Sequence, residues 1–298
     1  MSMTPPDQHP KAGRSADAGG AAHLAERSLF TDLVDDAAVF PPGLAPLPRA
    51  VTEHVARHQE SYADLVGPLL IPASAAGDLR GQDRPGPFEV GVIGRPGTPV
   101  AEVTAAVDLL ASAAGVTPVG LEVGWSPQWR EALAAALPVS VEVPREAGPQ
   151  DTALEELSAA QGDGRVQAKL RTGSTPQQPV PTASELSRFI RACIDRDLSF
   201  KLTGGLHHAV AHTSPEGEDQ HGFLNVLCAT RWALNGAEAA ELAHLLLERD
   251  PQPLVEMLVR MSEADASVVR AFFTAYGCCG VLDPVHDLSS LGLIKESA

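Results

Sequence analysis

Lysine is nearly missing from this chain of 298 residues, occurring only at positions 11, 169, 201 and 295, while the other 18 of its 22 basic residues are arginine. Positive charge as a whole is in short supply. Acidic residues number 38, and the formal charge of −16 means that most of the surface would repel a phosphate backbone or an anionic membrane. Nucleic acid and lipid are therefore set aside as partners. Long apolar runs are also lacking: none approaches the roughly 18 residues needed to cross a bilayer. The N-terminus has no charged-then-apolar export signal, so a cytoplasmic location is expected. The four cysteines (Cys193, Cys228, Cys278 and Cys279) contain no CxxC pair and are too few for a disulfide framework in a chain this long. They read as reduced thiols.

What is present is ample apolar material. A 44% hydrophobic fraction is enough for a sizeable core in one large domain or two modest ones, and excludes disorder throughout. Residues 1–20, rich in Pro, Gly, Ser, Asp and Ala without periodicity, read as a disordered tail. From residue 21 to 298 short apolar runs alternate with amphipathic stretches. Candidate strands fall at 38–40, 66–73, 88–94, 119–124, 139–143, 166–172, 199–203 and 275–282. Candidate helices fall at 46–65, 100–114, 127–137, 152–161 and 182–197, the last opening with a capping-box pattern, Thr182 followed by Glu185. Eight strands alternating with helices predict parallel pairing with right-handed crossovers, and the number favours closure into a (β/α)8 TIM barrel over an open doubly wound sheet. Residues 206–274 are too long for one crossover and are expected to form a helical insertion, about three helices, capping the barrel mouth.

Alternate residues of a barrel strand face the interior and the helix layer in turn. In the expected fourth to seventh strands the apolar sets are Val119, Leu121 and Val123; Val139, Val141 and Val143; Val166, Ala168 and Leu170; and Phe200 and Leu202. The opposite parity then places Glu122, Glu142, Lys169 and Lys201 inside, on four neighbouring strands, near the C-terminal ends where barrel enzymes keep their chemistry. Two structural ion pairs would account for them. Burying ions costs several kcal/mol each before pairing offsets the loss, however, which argues that the charges are retained for use. Two adjacent ammonium groups in a desolvated site would lower one another's pKa, so that one lysine becomes a neutral nucleophile, a role closed to arginine.

Lys169-x-x-Thr172-Gly173, followed by Phe200-Lys201-x-x-Gly204-Gly205, resembles the deoxyribose-phosphate aldolase family. The similarity extends loosely over 88–205, and Tyr276-Gly277-Cys278-Cys279 resembles the family's last strand, together about half the chain. The resemblance implies a class I aldolase on a (β/α)8 barrel, with Lys169 forming the Schiff base, Lys201 tuning it and Glu122 relaying protons. It departs from the family at Glu122, where the family has aspartate, at Arg171, which replaces a small residue, and at Gly277-Cys278-Cys279-Gly280, which replaces a serine-bearing phosphate loop. The expected substrate is a small carbonyl compound, with Glu142, Arg171, Thr172, Gly204, Gly205, His207 and His208 around it and no cofactor or metal. Self-association is left open.

Other constellations compete. His207, His208, His212 and His221 in the loop after the seventh strand, with Glu122 and Glu142 across the mouth, would suit a metal-dependent isomerase or hydrolase, although no HExxH occurs. A catalytically silent ligand-binding barrel is the third reading. Asp35 and Asp36 are expected in a turn before the proline-stiffened 40–43 loop rather than in the pocket. One of Cys278 and Cys279 should face the pocket, but nothing in the sequence places a base beside it. Asn225 and Arg231 are expected on a packing helix, and Trp125 either lines the pocket or anchors the next helix.

Overall fold

A computed structural model of the chain describes residues 24–295 other than 163; the expected N-terminal tail lies outside the described residues. In chain order the elements are β1 (Val34–Asp36), α1 (Leu47–Arg57), β2 (Val66–Pro72), α2 (Ala76–Gly81), β3 (Phe88–Ile93), α3 (Val100–Ala111), β4 (Val116–Gly124), β5 (Val139–Glu142), α4 (Ala147–Ser158), β6 (Val166–Arg171), α5 (Ala183–Asp195) and β7 (Phe200–Thr203). A two-stranded hairpin follows, β8 (His212–Thr213) with β9 (Asp219–Gln220), then α6 (Phe223–Leu234), α7 (Ala239–Leu246), α8 (Pro251–Val259), α9 (Glu263–Phe272), β10 (Phe273–Cys278) and α10 (Leu282–Ser290). Strands β1 to β7 and β10 pair in parallel and close into a barrel, β10 lying between β7 and β1. The chain is an α/β protein of the (β/α)8 TIM-barrel type, with a helical insertion between the seventh and eighth barrel strands.

Leu121, Val123, Val139, Val141, Val143, Val166, Ala168, Leu170, Phe200 and Leu202 of the expected helix-facing sets are all buried in one continuous core; Val119 is the exception, only half-buried beside the small cavity, because the pairing of β4 with β3 shifts register there. Aromatic stacking of Phe200 on Phe273 and of Tyr276 on Phe223 extends that core to β10 and α6. Helix α5 begins as expected. Glu185 donates its backbone N–H to Thr182 Oγ1 at 3.2 Å and its carboxylate accepts from Thr182 N at 2.7 Å, so two otherwise unpaired backbone donors are satisfied together.

Several boundaries move. The first strand is Val34–Asp36, not 38–40, and Ala38 to Phe40 form part of the turn above it, with Phe40 N donating to Ala37 O. A strand carrying two aspartates has no apolar signature; both carboxylates are nevertheless buried, Asp35 against Lys201 and Asp36 against Arg57. Asp36, on the helix-facing side, accepts from Arg57 Nη1 at 2.6 Å and lies 3.1 Å from His54 Nδ1. The 127–137 stretch is a short 3-10 segment, Trp129–Ala135, α1 ends at Arg57, and α2 was not anticipated.

The insertion contains four helices. They pack on one another and, through α6 and α7, on α5, while α9 lies against the 27–29 turn near the chain's start. Their place is thus the flank of the barrel rather than its mouth. Their apolar faces are already spent on this packing: Leu224, Leu227, Leu242, Leu246, Leu254 and Leu258 are fully buried. Asn225 works as a staple, its side chain accepting from Ala211 N and donating to the carbonyls of Leu245 and Glu248. Arg231 pairs with Asp265 at 2.7 Å, so α6 is a packing helix. No helix among the described residues is long and apolar enough to cross a membrane.

Candidate active site

The barrel interior is layered. At the bottom, Gln167 donates to Ser140 Oγ and accepts from Thr274 Oγ1 at 2.8 and 2.6 Å, a polar layer beside a small cavity of about 100 Å³. Above it lies a chain of charges. Cα register sets Glu142 beside Lys169 and Lys169 beside Lys201 on successive strands, so the inward side chains of β5, β6 and β7 converge. Lys201 Nζ donates to Glu122 Oε1 at 2.5 Å and to Asp35 Oδ2, and Lys169 Nζ is ion-paired with Glu122 Oε2 at 2.6 Å and Glu142 Oε2 at 2.9 Å. Glu122 therefore bridges the two ammonium groups. Arg171, 3.4 Å from Glu142 Oε1, closes the row at the mouth.

Glycines make room for this row. A Cβ at position 67 would lie 2.3 Å from Asp35 Oδ1, and one at position 91 would lie 2.6 Å from Leu70 Cδ2. Both are closer than any real Cβ contact, so a side chain at either position would have to displace the carboxylate or the leucine.

The electrostatics differ from the sequence expectation. Burial works against the charge on Lys169, but Glu122 and Glu142 more than compensate and raise its pKa. Lys201 is likewise raised, by Asp35 and Glu122 against burial. Glu122 is lowered to about 2, the attraction of the two lysines overcoming desolvation, and Glu142 is lowered by Lys169 and Arg171 in the same way. Asp35 moves the other way, because its burial outweighs Lys201. The expected mutual depression of the lysine pKa values is thus corrected. A carboxylate sits between the ammonium groups, and attraction at under 3 Å outweighs their mutual repulsion.

Above the charges opens a mouth cavity of about 550 Å³. One wall is apolar, made by Ala37, Leu70, Ile93 and Phe40 with Pro41 and Pro42; the other carries Glu142, Lys169, Arg171, Thr203, Gly204, Gly205 and His207. A wider cavity of about 930 Å³ adjoins it and shares Arg95, Glu142 and Arg171. Trp125 lines that outer cavity and also donates to Glu156 of α4 at 3.2 Å, so it both lines and anchors.

Of the residues expected around the substrate, Glu142, Arg171, Gly204, Gly205 and His207 line the mouth with Lys169, while Glu122 and Lys201 lie beneath. Thr172 is buried and donates to Gly204 O at 2.5 Å, tying the β6 loop to the β7 loop. Gly204 and Gly205 both adopt left-handed backbone, and a Cβ on the facing Gly173 would meet the Gly204–Gly205 peptide at 3.0 Å. Only glycines allow that crossing. His208 turns outward to Asp287 at 3.2 Å and does not line the mouth.

The histidine loop does not assemble the ligand set that a metal-dependent isomerase or hydrolase would use. His207 pairs with Asp283, His208 with Asp287, His212 donates to its own loop carbonyl at Val210 and His221 to Pro181 O. Among the described residues no three His, Cys, Asp or Glu side chains are grouped to hold a metal ion.

Two site features escaped the sequence reading. Asp35 is the first; the pair of aspartates just before the proline loop was the available signal, and the structure turns one inward to Lys201 and the other outward to Arg57. The second is at the eighth barrel strand, where His207 Nε2 stands 3.4 Å from Cys279 Sγ. Compared with known protein families and with curated proteins, the chain matches none.

Proposed function

We propose that this barrel is an enzyme of the class I aldolase or lyase type, in which Lys169 forms an imine with a small carbonyl compound so that a carbon–carbon bond can be broken or made. The observation that carries the reading is the position of Lys169 Nζ: it lines the floor of the mouth cavity, 2.6 Å from a Glu122 oxygen that is buried and has no aligned hydrogen-bond donor. At rest the amine is an ammonium. Entry of a carbonyl compound expels water from the cavity, and loss of solvent disfavours the charged pair relative to a neutral amine and carboxylic acid. The proton then passes from Nζ to Glu122 or Glu142, and the amine adds to the carbonyl carbon. The same carboxyl returns the proton to the departing hydroxyl, so that water leaves and the imine remains. The protonated imine accepts the electron pair of the carbon–carbon bond that breaks, or loses a proton to give the enamine that forms one. Lys201, held by Asp35, keeps Glu122 oriented for the transfers.

The apolar wall of Leu70, Ile93 and Phe40 suits the carbon skeleton. Arg171 and Arg95, which has no ion-pair partner among the described residues and lies over the Phe40 ring, suit an anionic group at its outer end. Barrels of this type are commonly enzymes with the site at this end. Borohydride reduction in the presence of acetaldehyde, glyceraldehyde, dihydroxyacetone or pyruvate tests the reading. A reduced adduct mapped by mass spectrometry to Lys169, and absent from Lys169→Met, is the expected result. The absence of any Lys169-dependent adduct across the panel overturns it.

A further inference from the structure

Where the last barrel strand meets α10, three side chains line up that the imine chemistry does not use. Cys279 Sγ is 3.4 Å from His207 Nε2, and His207 Nδ1 is 2.9 Å from Asp283 Oδ2. Cys279 and His207 both line the mouth cavity; Cys278, one residue earlier, is 1% exposed, and its Sγ donates to Gly280 O and lies 3.7 Å from His207 Nδ1. The backbone is cut to fit this arrangement. A Cβ at Gly280 would stand 2.4 Å from Asp283 Oδ2 and 3.2 Å from His207 Nδ1, and one at Gly43 would stand 3.0 Å from Cys279 Cβ. A nucleophile, a base on its accessible side and a carboxylate orienting the base from behind form the arrangement that activates a thiol.

We propose that Cys279, His207 and Asp283 form a second covalent centre in the mouth cavity, at which the Cys279 thiol adds reversibly to an aldehyde carbon. Asp283 holds the Nδ1 proton of His207, and Nε2 takes the proton of the thiol. The sulfur forms a bond to the aldehyde carbon, the carbonyl π pair moves to oxygen, and that oxygen takes the proton back from His207 to give a hemithioacetal. No group leaves and nothing is oxidised or reduced. The pKa of His207 supports the geometry: the sulfurs of Cys278 and Cys279, against burial and with help from Asp283, push it up to about 11.

The charges facing Cys279 do not displace His207 from this role. Across the mouth, Lys169 and Arg171 are engaged by Glu142. On the far side, where Cys279 also borders a second cavity, Arg49 and Arg57 of α1 are engaged by Glu53.

Alkylation of the native protein by iodoacetamide, followed peptide by peptide, tests the proposal. Cys279 should label faster than Cys193, Cys228 and Cys278. His207→Gln should slow its labelling on the order of 100-fold near neutral pH, and Asp283→Asn about 10-fold. Propanal should protect Cys279 from iodoacetamide even in Lys169→Met, which separates this centre from the imine. Labelling of Cys279 in the wild-type protein no faster than that of Cys278 overturns the proposal without any variant. Unchanged labelling in His207→Gln, or no protection by propanal in Lys169→Met, overturns it as well.

Discussion

Glu122 is the side chain on which the buried charge row depends, and replacing it by glutamine tests the electrostatics directly. The residue is 3% exposed and within 2.6 Å of both lysine nitrogens. Burial opposes its ionisation, yet Lys169 and Lys201 bring its pKa from 4.5 to about 2. A carboxyl lowered that far contributes about 3 kcal/mol of folding stability at neutral pH. Because the folded pKa is the lower one, this contribution is complete above the unfolded pKa and disappears as pH falls toward the folded one. Somewhat more than half of it is gone by about pH 3. Glu122→Gln removes the shared charge and leaves Lys169 with Glu142 alone and Lys201 with Asp35 alone, the two buried ammonium groups facing each other across an amide, a loss of about 3 kcal/mol at neutral pH. Urea unfolding at about pH 7 and about pH 3 measures both quantities. The variant should be destabilised at neutral pH, and its deficit should narrow in acid. A variant within about 0.5 kcal/mol of the wild type at neutral pH, or a deficit that does not narrow, would refute the reasoning.

Two further outcomes follow from residues outside the mouth. Asp36→Ala should cost about 3 kcal/mol in a denaturant titration, because Asp36 is fully buried and its removal leaves the buried His54 ring without its Nδ1 partner and Arg57 with Glu53 alone; borohydride trapping at Lys169 should survive wherever the variant is folded, since this carboxylate faces the helix layer. Thr182→Ala should lower stability by about 1 kcal/mol by opening the α5 capping box, read as a small drop in melting temperature with Cys279 labelling unchanged.

How far the site was legible in the sequence depended on the strands that carry it. On β4 to β7, strict alternation of apolar and polar residues announces which side chains point inward, and the scarcity of lysine singles out Lys169 and Lys201. On β1 there are only three residues, two of them aspartate, and no alternation can be read over so short a span. The Cys279–His207 contact joins residues 72 apart in sequence, and no local pattern encodes it. The insertion was visible as excess length, but its position on the flank was not, because amphipathic helices read the same whichever apolar surface they cover.

The sequence by itself determined the barrel and four of the charges inside it, Glu122, Glu142, Lys169 and Lys201, since a period of two on parallel strands leaves only one face for each side chain. The tertiary structure alone decided what those charges do to one another. Two buried lysines lower each other's pKa, and whether the net shift is upward depends on a carboxylate standing between them; that distance of under 3 Å is set by strand register and barrel closure, which bring Glu122 of β4 and Asp35 of β1 to Lys201 of β7.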